Sequence, residues 1–297
     1  MRTATGWKSY RVIDCTDGEK LESWGGHLLI RPDPQVIWKS ERNTPLWDKA
    51  EAHYHRSEKG GGKWEIRKKL PERWDIDYEL GTGERLCFNI RPTGFKHTGL
   101  FPEQAVNWER MAELIKERRA QGKTVNVLNL FAYTGGATLA CAAAGASVTH
   151  VDASKGMVAW ARENAALSGL SDRPVRWIVD DCEKFVAREI RRGRKYDAVI
   201  MDPPSYGRGP SGEVWTLENC IHDLVSLTAG VLSEDPLFFL LNSYTTGLSP
   251  SVTAYILSLA AADRFGSGAD VTADEIGLPV EHGFVLPCGA SAWVSRR

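Results

Sequence analysis

The chain has 297 residues, of which 42% are hydrophobic and 25% are charged. This is enough apolar material for the core of one large domain or two ordinary ones. Lys and Arg total 37 against 38 Asp and Glu, a formal net charge of −1, which excludes nucleic-acid binding through bulk charge alone but not through a local patch. No apolar run approaches the roughly 20 residues of a membrane span, and the first residues hold no hydrophobic signal core. We therefore expect a soluble, cytoplasmic protein that does not contact a membrane.

Six cysteines stand singly along the chain, at positions 15, 87, 141, 182, 220 and 288. Since no CxxC pair occurs, the sequence favours neither a zinc ribbon nor a thioredoxin-type site, and we predict no metal. Cys141 lies in an alanine-rich stretch and is predicted to be a small buried hydrophobic residue. His53 and His55 lie on a polar segment and are predicted to be surface residues rather than metal ligands.

The two parts of the chain differ in charge and composition. Residues 1–124 hold 23 Lys and Arg against 19 Asp and Glu, residues 125–297 hold 14 against 19, and seven of the eleven Trp precede residue 110. Short apolar segments such as Leu28 to Ile30 and Val36 to Trp38 alternate with turn residues, which predicts a small antiparallel β domain over residues 1–100. An amphipathic helix is predicted over roughly 103–120, with Trp108 and Met111 on its apolar stripe.

From residue 125 onward, strands alternate with helices. Strands are predicted at 125–130, 147–151, 175–179, 196–201 and 237–241, and helices at 135–144, 156–168, 183–192 and 218–232. This alternation indicates βαβ units and an α/β fold in residues 101–297, with a doubly wound, mainly parallel sheet covered on both faces. Because ligands of such sheets bind outside the carboxyl ends of the strands, we expect the functional residues directly after the strands.

Four successive strand ends carry glycine or polar residues. After the first strand, Gly135 and Gly136 allow close approach to a ligand and expose helix amides, with tight packing as the alternative explanation. Asp152 ends the second strand and can accept hydrogen bonds from both hydroxyls of a ribose. For Asp152, and for Asp181 after the third strand, a helix cap is the alternative. The fourth strand runs into Asp202-Pro203-Pro204, whose prolines lack backbone donors and stiffen the turn.

In this order, the segments VLNLFAYTGG, VD, VDDC and VIMDPPSYG resemble a class I S-adenosylmethionine-dependent methyltransferase. More narrowly, they resemble the branch that includes bacterial 23S ribosomal RNA base methyltransferases. The segment TGFKHTGLFPEQ, residues 93–104, is similar to the segment that precedes the catalytic domain in that branch. The chain departs from the family in two respects: the first loop lacks GxGxG, and Asn129 stands where many members have an acid. The sequence also shows no counterpart of the extra N-terminal RNA-binding domain of several relatives, which weakens the expectation of ribosomal RNA as the substrate.

The resemblance implies S-adenosylmethionine as the cofactor and gives a role to each matching residue. Asp152 would hold the ribose hydroxyls, Ser154 would touch the adenosine, and Asp181 would bind the adenine amino group with the Cys182 amide near a ring nitrogen. The segment Tyr133 to Gly136 would surround the methionine part, and Asp202 to Ser205 would lie beside the transferred methyl group. The predicted cofactor-binding residues are Phe131, Tyr133, Thr134, Gly135, Gly136, Asp152, Ser154, Asp181, Cys182 and Asp202, and the predicted catalytic residues are Asp202, Pro203, Pro204 and Tyr206.

The predicted acceptor is a base nitrogen of RNA, and the resemblance points to ribosomal RNA. Methylation at C5 of a pyrimidine requires attack by a cysteine. The resemblance implies two positions for that cysteine, before the motif proline and after the fifth strand. Here they hold Asp202 and residues 242–246, none of which is a thiol. An exocyclic amine can donate its protons to the Asp202 carboxylate and the Pro203 carbonyl, whereas guanine N7 has no proton to lose. Tyr206 is predicted to stack on the base and Arg208 to meet a phosphate, with a solvated loop as the alternative.

Other interpretations stay open at this point. The Trp, Lys and Arg residues between Lys59 and Trp74 form either an RNA platform or a domain with core tryptophans and solvated charges. The substrate can instead be a protein side chain or a small molecule. A dinucleotide-dependent oxidoreductase shares the βαβ frame but leaves the Asp-Pro-Pro turn unexplained, and a non-catalytic nucleic-acid-binding protein is a further alternative. The tryptophan content also hints at self-association into a homo-oligomer.

Overall fold

The computed structural model describes residues 1–57, 61–94, 96–208, 214–245 and 247–296, with the side chain of Arg208 outside this set. The strands are Arg2–Thr3 (β1), Tyr10–Thr16 (β2), Glu19–Trp24 (β3), His27–Pro32 (β4), Ala52–Arg56 (β5), Gly62–Ile66 (β6), Trp74–Glu79 (β7), Arg85–Ile90 (β8), Asn126–Leu130 (β9), Ser147–Asp152 (β10), Val175–Val179 (β11), Ala198–Met201 (β12), Tyr206–Arg208 (β13), Val214–Thr216 (β14), Phe238–Ser243 (β15), Ala269–Pro279 (β16) and Val285–Arg296 (β17). The α-helices are Thr44–Trp47 (α1), Ala105–Ala120 (α2), Gly136–Ala143 (α3), Lys155–Leu167 (α4), Cys182–Arg191 (α5), Leu217–Ala229 (α6) and Pro250–Ala261 (α7). None of the helices in these ranges has the length and apolarity that a membrane span requires.

The central sheet has eight strands within the described ranges, in the order β1-β16-β17-β15-β12-β9-β10-β11. Strands β15, β12, β9, β10 and β11 are parallel, and β17 joins them antiparallel to β15. The chain turns from one side of β9 to the other between β11 and β12, so the carboxyl ends of β9, β10 and β12 meet at a switch point of the sheet. The predicted α/β fold with a doubly wound, mainly parallel sheet is confirmed.

All the strands and helices predicted between residues 103 and 241 are present, with boundaries shifted by a few residues. The prediction omitted α7 and the β16–β17 hairpin. The hairpin extends the sheet beyond β15, and β1 pairs with β16 at the edge. In the second half of β17, side chains on both faces of the strand are buried. The regular exposure of every second residue, which marks a half-exposed strand, is therefore absent there. Cys141 is buried, as predicted.

The N-terminal region contains the small β domain that the sequence predicts. Strands β2 to β6 form one sheet in chain order, antiparallel except for the β4–β5 pair, and β7 and β8 form a separate antiparallel hairpin. The segment Val36 to Trp38 is not a strand, although its short apolar pattern predicts one. Its carbonyls instead accept hydrogen bonds from the Gly18 and Asp17 amides.

Trp108 of α2 connects the N-terminal region with the larger sheet. Its side chain is buried, and its ring lies 5.3 Å from that of Phe88 and 5.8 Å from that of Tyr78. At the start of α3, a Cβ added to Gly136 would lie 2.6 Å from the indole. A single hydrophobic cluster accordingly includes residues of both regions.

We expect the Trp108→Ala substitution to reduce the free energy of unfolding by about 3–5 kcal/mol, because it leaves a large cavity among rings that cannot close up. Chemical denaturation followed by circular dichroism measures this change. Tyr255→Ala is the matched control, since Tyr255 is exposed on α7 and should change the stability by less than about 0.5 kcal/mol. Equal losses for the two variants would contradict a central role for Trp108.

Candidate active site

The loop between β9 and α3 has an unusual backbone. Phe131 and Tyr133 have φ angles of 56° and 50°, a left-handed conformation that costs a non-glycine residue about 1–3 kcal/mol. The Tyr133 amide donates to Oδ2 of Asp152 at 2.9 Å, and the Phe131 amide donates to Sγ of Cys182 at 3.3 Å. Strain of this kind persists where neighbouring groups enforce it and is typical of functional loops.

The Asp152 carboxylate stands at the end of β10 and supports this loop. Oδ2 accepts the Tyr133 amide, and Oδ1 accepts the Ser154 amide at 2.8 Å. Burial raises the pKa of Asp152, and the two amide hydrogen bonds oppose that rise. A carboxylate has about four acceptor positions, so each oxygen keeps one for a further donor such as a ribose hydroxyl.

Packing accounts for both glycines at the start of α3. Gly135 has a φ of 90°, and a Cβ added there would lie 3.0 Å from Cβ of Ala161. Gly136 packs against Trp108, as described above. Tight packing, the alternative explanation for these glycines, therefore accounts for both of them. As the N-cap residue of α3, however, Gly135 has no side chain to bind the first helix amides, which leaves those amides available to an anionic group.

Two of the predicted cofactor residues also act as helix caps. Oδ1 of Asp181 accepts the Lys184 amide at 2.9 Å, and Oγ of Ser154 accepts the Met157 amide at 3.4 Å. The cap interpretation of Asp181 thus holds for one of its two oxygens. The neighbouring Cys182 thiol is buried, which raises its pKa to about 12. It is therefore a neutral support for the loop at Phe131.

Asp202 follows β12 and has the pKa of a group that titrates near neutrality. Burial, followed by the negative charge of Glu103, raises its pKa to about 7. Glu103 is buried as well, and burial raises its pKa. The Tyr244 hydroxyl hydrogen-bonds to Glu103 and accepts the Gln104 side-chain amide at 2.8 Å. Glu103 and Tyr244 are absent from the predicted site, although the segment that contains Glu103 was part of the family resemblance.

The Asp-Pro-Pro turn is tied to neighbouring elements on both sides. The Pro204 carbonyl accepts the indole N–H of Trp215 at 2.7 Å, and Oγ of Ser205 accepts the Thr245 hydroxyl at 2.7 Å. Pro203 is buried, whereas Tyr206 on β13 is 54% exposed, as stacking on a base requires. Lys59 and the side chain of Arg208, which were predicted as RNA contacts, lie outside the described residues.

The ring of Phe101 brings three parts of the site together. Its centroid lies 5.4 Å from the ring of Tyr133, 5.5 Å from that of Tyr244 and 5.2 Å from that of His97. Burial lowers the pKa of His97 to about 3, and the nearby charge of Arg31 adds to the effect. The His97 ring is therefore neutral at physiological pH.

The structure also brings a thiol near the site. Burial, together with the charge of Glu103, raises the pKa of Cys288 well above its usual value. Its thiol donates to the Leu286 carbonyl at 3.4 Å. Cys288 is consequently protonated at neutral pH, which makes it a poor nucleophile.

His53 and His55 come closer to a metal-binding arrangement than the sequence indicates. Their ring nitrogens and a carboxylate oxygen of Glu65 lie within 4.8 Å of one another. His53 is bound by Glu19 through Nε2 and by Arg67 through Nδ1, and Nε2 of His55 hydrogen-bonds to Glu65. These contacts already engage both nitrogens of His53, so the cluster is a hydrogen-bond network of the N-terminal sheet.

Known proteins resemble this chain in both sequence and structure. The family model described as S-adenosylmethionine-dependent methyltransferase matches residues 51–227. The SAM dependent methyltransferase from Agrobacterium tumefaciens is 34% identical, with a TM-score of 0.87 over 100% of this chain and 93% of that one. The protein SMU.776, solved in complex with SAH, has a TM-score of 0.72 at 19% identity over 99% of this chain and 76% of that one.

A curated relative matches part of the chain. Ribosomal RNA large subunit methyltransferase K/L of Shewanella frigidimarina is 39% identical over 120 residues. The match covers 40% of this chain but only 16% of the relative's length. The family match, together with the similarity over 93% of the Agrobacterium enzyme, is decisive: the chain belongs to the family of S-adenosylmethionine-dependent methyltransferases.

Proposed function

We propose that this methyltransferase methylates a base nitrogen of RNA, with ribosomal RNA as the substrate class. The observation that carries the proposal is Asp202, a half-buried carboxyl group that precedes Pro203 at a strand end and whose pKa is raised to about 7. A group with a pKa near the working pH is well suited to accept a proton at neutral pH. The partial similarity to the ribosomal RNA methyltransferase K/L supports RNA as the substrate.

The residues around the strand ends fit the cofactor. S-adenosylmethionine supplies, when bound, a sulfonium methyl group that an acceptor displaces in line. Asp152 has a free acceptor position on each oxygen for the ribose hydroxyls, and the second oxygen of Asp181 is left for the adenine amino group. The loop from Phe131 to Gly136 and the first amides of α3 would hold the methionine part.

On the acceptor side, the chain's own groups would position an amine and take up its proton. An exocyclic amine would donate one hydrogen bond to the Asp202 carboxylate and one to the Pro203 carbonyl, which concentrates the lone pair on the attacking nitrogen. Of the two proline carbonyls in the turn, that of Pro204 is occupied by Trp215. The rings of Phe101 and Tyr244 would exclude water from this region, and the exposed Tyr206 would stack on the base.

The Asp152→Ala substitution tests the cofactor site. It removes two charge-assisted hydrogen bonds to the ribose and the support for the Tyr133 amide, so we expect the affinity for S-adenosylhomocysteine to fall about 100-fold or more. Isothermal titration calorimetry measures the affinity, with NAD titrated in parallel to test for the dinucleotide alternative. Asp172→Ala is the control, because Asp172 is exposed. Unchanged binding by Asp152→Ala would remove Asp152 from the cofactor site.

The Asp202→Asn substitution and the pH profile test the acceptor chemistry. A carboxyl group whose pKa is raised to about 7 is neutral below that pH and accepts a proton only above it. We therefore expect kcat to rise with pH through about 7. Asp202→Asn should lower kcat by roughly 10²–10⁴-fold while the affinity for S-adenosylhomocysteine changes little. Transfer of labelled methyl groups to unmodified ribosomal RNA, with mass spectrometry of the nucleosides, gives the rate and the modified atom.

Three results would contradict this mechanism. A profile that is flat through pH 7 would indicate a ring nitrogen with no proton to lose. Loss of turnover in Cys288→Ser would instead indicate carbon methylation through a thiol. Transfer to bulk protein but to no RNA would favour the protein-substrate alternative.

Exposed cations of the N-terminal sheet give the RNA proposal a second test. The indole N–H groups of Trp64 and Trp74 are bound to the carbonyls of Thr93 and Trp24 at 2.9 and 2.8 Å, so these tryptophans belong to the fold rather than to a stacking platform. The described cations of this segment whose side chains are exposed and make no hydrogen bond or ion pair are Lys63, Lys69 and Arg73.

We expect replacement of Lys63, Lys69 and Arg73 by Ala to weaken binding of ribosomal RNA and to flatten its salt dependence. Each lost phosphate contact lowers the slope of log K against log[salt] by about 0.7–0.9. Fluorescence anisotropy at several salt concentrations measures the slope. The control is a triple Ala variant at three exposed arginines of the catalytic domain, Arg173, Arg191 and Arg194. An equal change in both variants would assign RNA binding to general charge rather than to this segment.

A further inference from the structure

Side chains of α4 hydrogen-bond to the edge of β8 that faces away from β7. Trp160, Asn164 and the C-cap residue Ser168 stand four residues apart, so they lie on one face of the helix. The Asn89 carbonyl accepts the Trp160 indole N–H at 3.0 Å, and the Asn89 amide donates to Oδ1 of Asn164 at 2.9 Å. One turn further on, Oγ of Ser168 accepts the Cys87 amide at 2.8 Å and donates to the Cys87 carbonyl at 3.1 Å. The β7–β8 hairpin is therefore fixed to α4 along this edge.

Asn164 also binds the proposed cofactor loop, residues 131–136. Its side chain is fully buried, and Nδ2 donates to the Thr134 carbonyl at 2.9 Å. Because a backbone amide donates and a carbonyl accepts, the two partners fix which end of the Asn164 side chain faces the hairpin and which end faces the loop. A single side-chain amide thus bridges the β7–β8 hairpin and the loop.

The Thr134 hydroxyl makes a second bond that leaves the loop. The Thr134 side chain is buried, and its hydroxyl donates to the Gly99 carbonyl at 2.5 Å. Gly99 has a φ of 103°, and a Cβ added there would lie 2.2 Å from the Trp160 ring. Gly99 therefore packs directly against the helix that carries Asn164. The carbonyl and the hydroxyl of Thr134 are thus both held by parts of the chain outside the loop.

The loop depends on such contacts because part of its backbone is strained. Phe131 and Tyr133 have positive φ angles, and residues in that region keep them where their surroundings enforce it. The bonds to Asp152 and Cys182 hold two amides of the loop, and the bonds of Thr134 hold the residue that follows Tyr133. A loop that relaxed in the free protein would bind its ligand more weakly, in proportion to the fraction of molecules that keep the binding conformation.

We propose that Asn164 and the Thr134 hydroxyl are positioning groups for the cofactor: they hold the loop in its binding conformation before S-adenosylmethionine arrives. Both side chains are buried, so they act through the loop backbone rather than by contact with the cofactor. The same bonds make the β7–β8 hairpin part of the cofactor site, and binding of the cofactor and attachment of the hairpin should stabilise each other. The role assigned to Asn164 rests on the proposed cofactor loop and is independent of the RNA substrate.

Binding of S-adenosylhomocysteine to the full-length protein tests this role. We expect Asn164→Ala to bind it about 10-fold more weakly or worse, because the loop loses one of its anchors. Ser168→Ala is the matched control: it loses two hydrogen bonds to the same hairpin, whereas the Ser168 side chain has no hydrogen bond to the loop among the described residues. Its affinity should stay within about twofold of the wild type. Isothermal titration calorimetry measures the affinities, and chemical denaturation measures the stability of each variant.

The Asp152→Ala variant separates a failure of this proposal from a failure of the cofactor site. Loss of affinity in Asp152→Ala but not in Asn164→Ala would overturn the positioning role, while the cofactor site would stand. Unchanged affinity in both variants would overturn both. Equal losses in Asn164→Ala and Ser168→Ala would trace the effect to attachment of the hairpin and would overturn the role of the bond between Asn164 and the loop.

Hydrogen exchange followed by mass spectrometry gives a readout that a general loss of stability would not produce. Four of the loop amides donate hydrogen bonds, namely those of Phe131, Ala132, Tyr133 and Gly135. The loop is therefore protected from exchange while it keeps its conformation. In the free Asn164→Ala protein, a peptide over residues 130–136 should exchange several-fold faster than in the wild type, and saturating S-adenosylhomocysteine should restore its protection. Ser168→Ala should match the wild type in this peptide. Equal exchange in all three proteins would show that the loop is fixed without Asn164 and would overturn the proposal.

The pair Thr134→Val and Thr134→Ser gives a test that does not depend on the folding of an Asn164 variant. Valine has nearly the shape of threonine but leaves the Gly99 carbonyl without its donor, whereas serine keeps the hydroxyl. We expect Thr134→Val to bind S-adenosylhomocysteine about threefold more weakly than Thr134→Ser, or worse. A packing change alone would give the opposite order, because serine is the smaller replacement. Equal affinities of the two variants would overturn the positioning role of the hydroxyl.

Discussion

The packing of Trp108 against Gly136 determines how the two parts of this chain meet. Trp108 belongs to α2, which follows the N-terminal region, and Gly136 opens α3, which begins directly after the proposed cofactor loop. Since an added Cβ at Gly136 would lie 2.6 Å from the indole, the start of α3 can approach α2 only with glycine at that position. The aromatic rings around Trp108 extend this contact to β7 and β8. The position of the loop therefore depends on the N-terminal region as well as on the sheet beneath it.

This arrangement brings charges of opposite sign from different parts of the chain into one region. Asp202 and Glu103 come from the end of β12 and from the turn before α2, while Lys20 and Arg31 come from the N-terminal sheet. Glu103 and Arg31 are buried, and Asp202 and Lys20 are partly buried, so each one shifts the pKa of its neighbours more strongly than it would at the surface. Lys20 acts on Glu103, whereas the pKa of Asp202 is raised by burial and by Glu103. The site thus combines a carboxyl group that titrates near neutrality with cations that stay charged.

The sequence predicts the sheet and its functional strand ends because both depend on local patterns. Apolar runs separated by amphipathic helices define β9 to β12, and Asp152 and Asp202 stand where the sheet geometry places ligands. Long-range pairing is different, since no local pattern shows that β16 and β17 extend the same sheet. The cap roles of Ser154 and Asp181 and the packing role of Gly136 also follow from contacts that only the folded chain makes.

The residues that sequence reasoning missed share one property: their importance comes from burial rather than from residue type. Glu103 and Tyr244 are separated by more than a hundred residues, and neither would be unusual on a surface. The positive φ angles of Phe131 and Tyr133 have no compositional signal either, because aromatic residues seldom adopt that conformation. In the sequence, Lys20 and Arg31 look like ordinary charges of a basic N-terminal segment. Only the register of β3 and β4 shows that they lie opposite each other. Because their charges are largely buried, Lys20 and Arg31 need Asp33 and Glu22 as partners. Charges that look solvated in the sequence are therefore part of an ion-pair network of the N-terminal sheet.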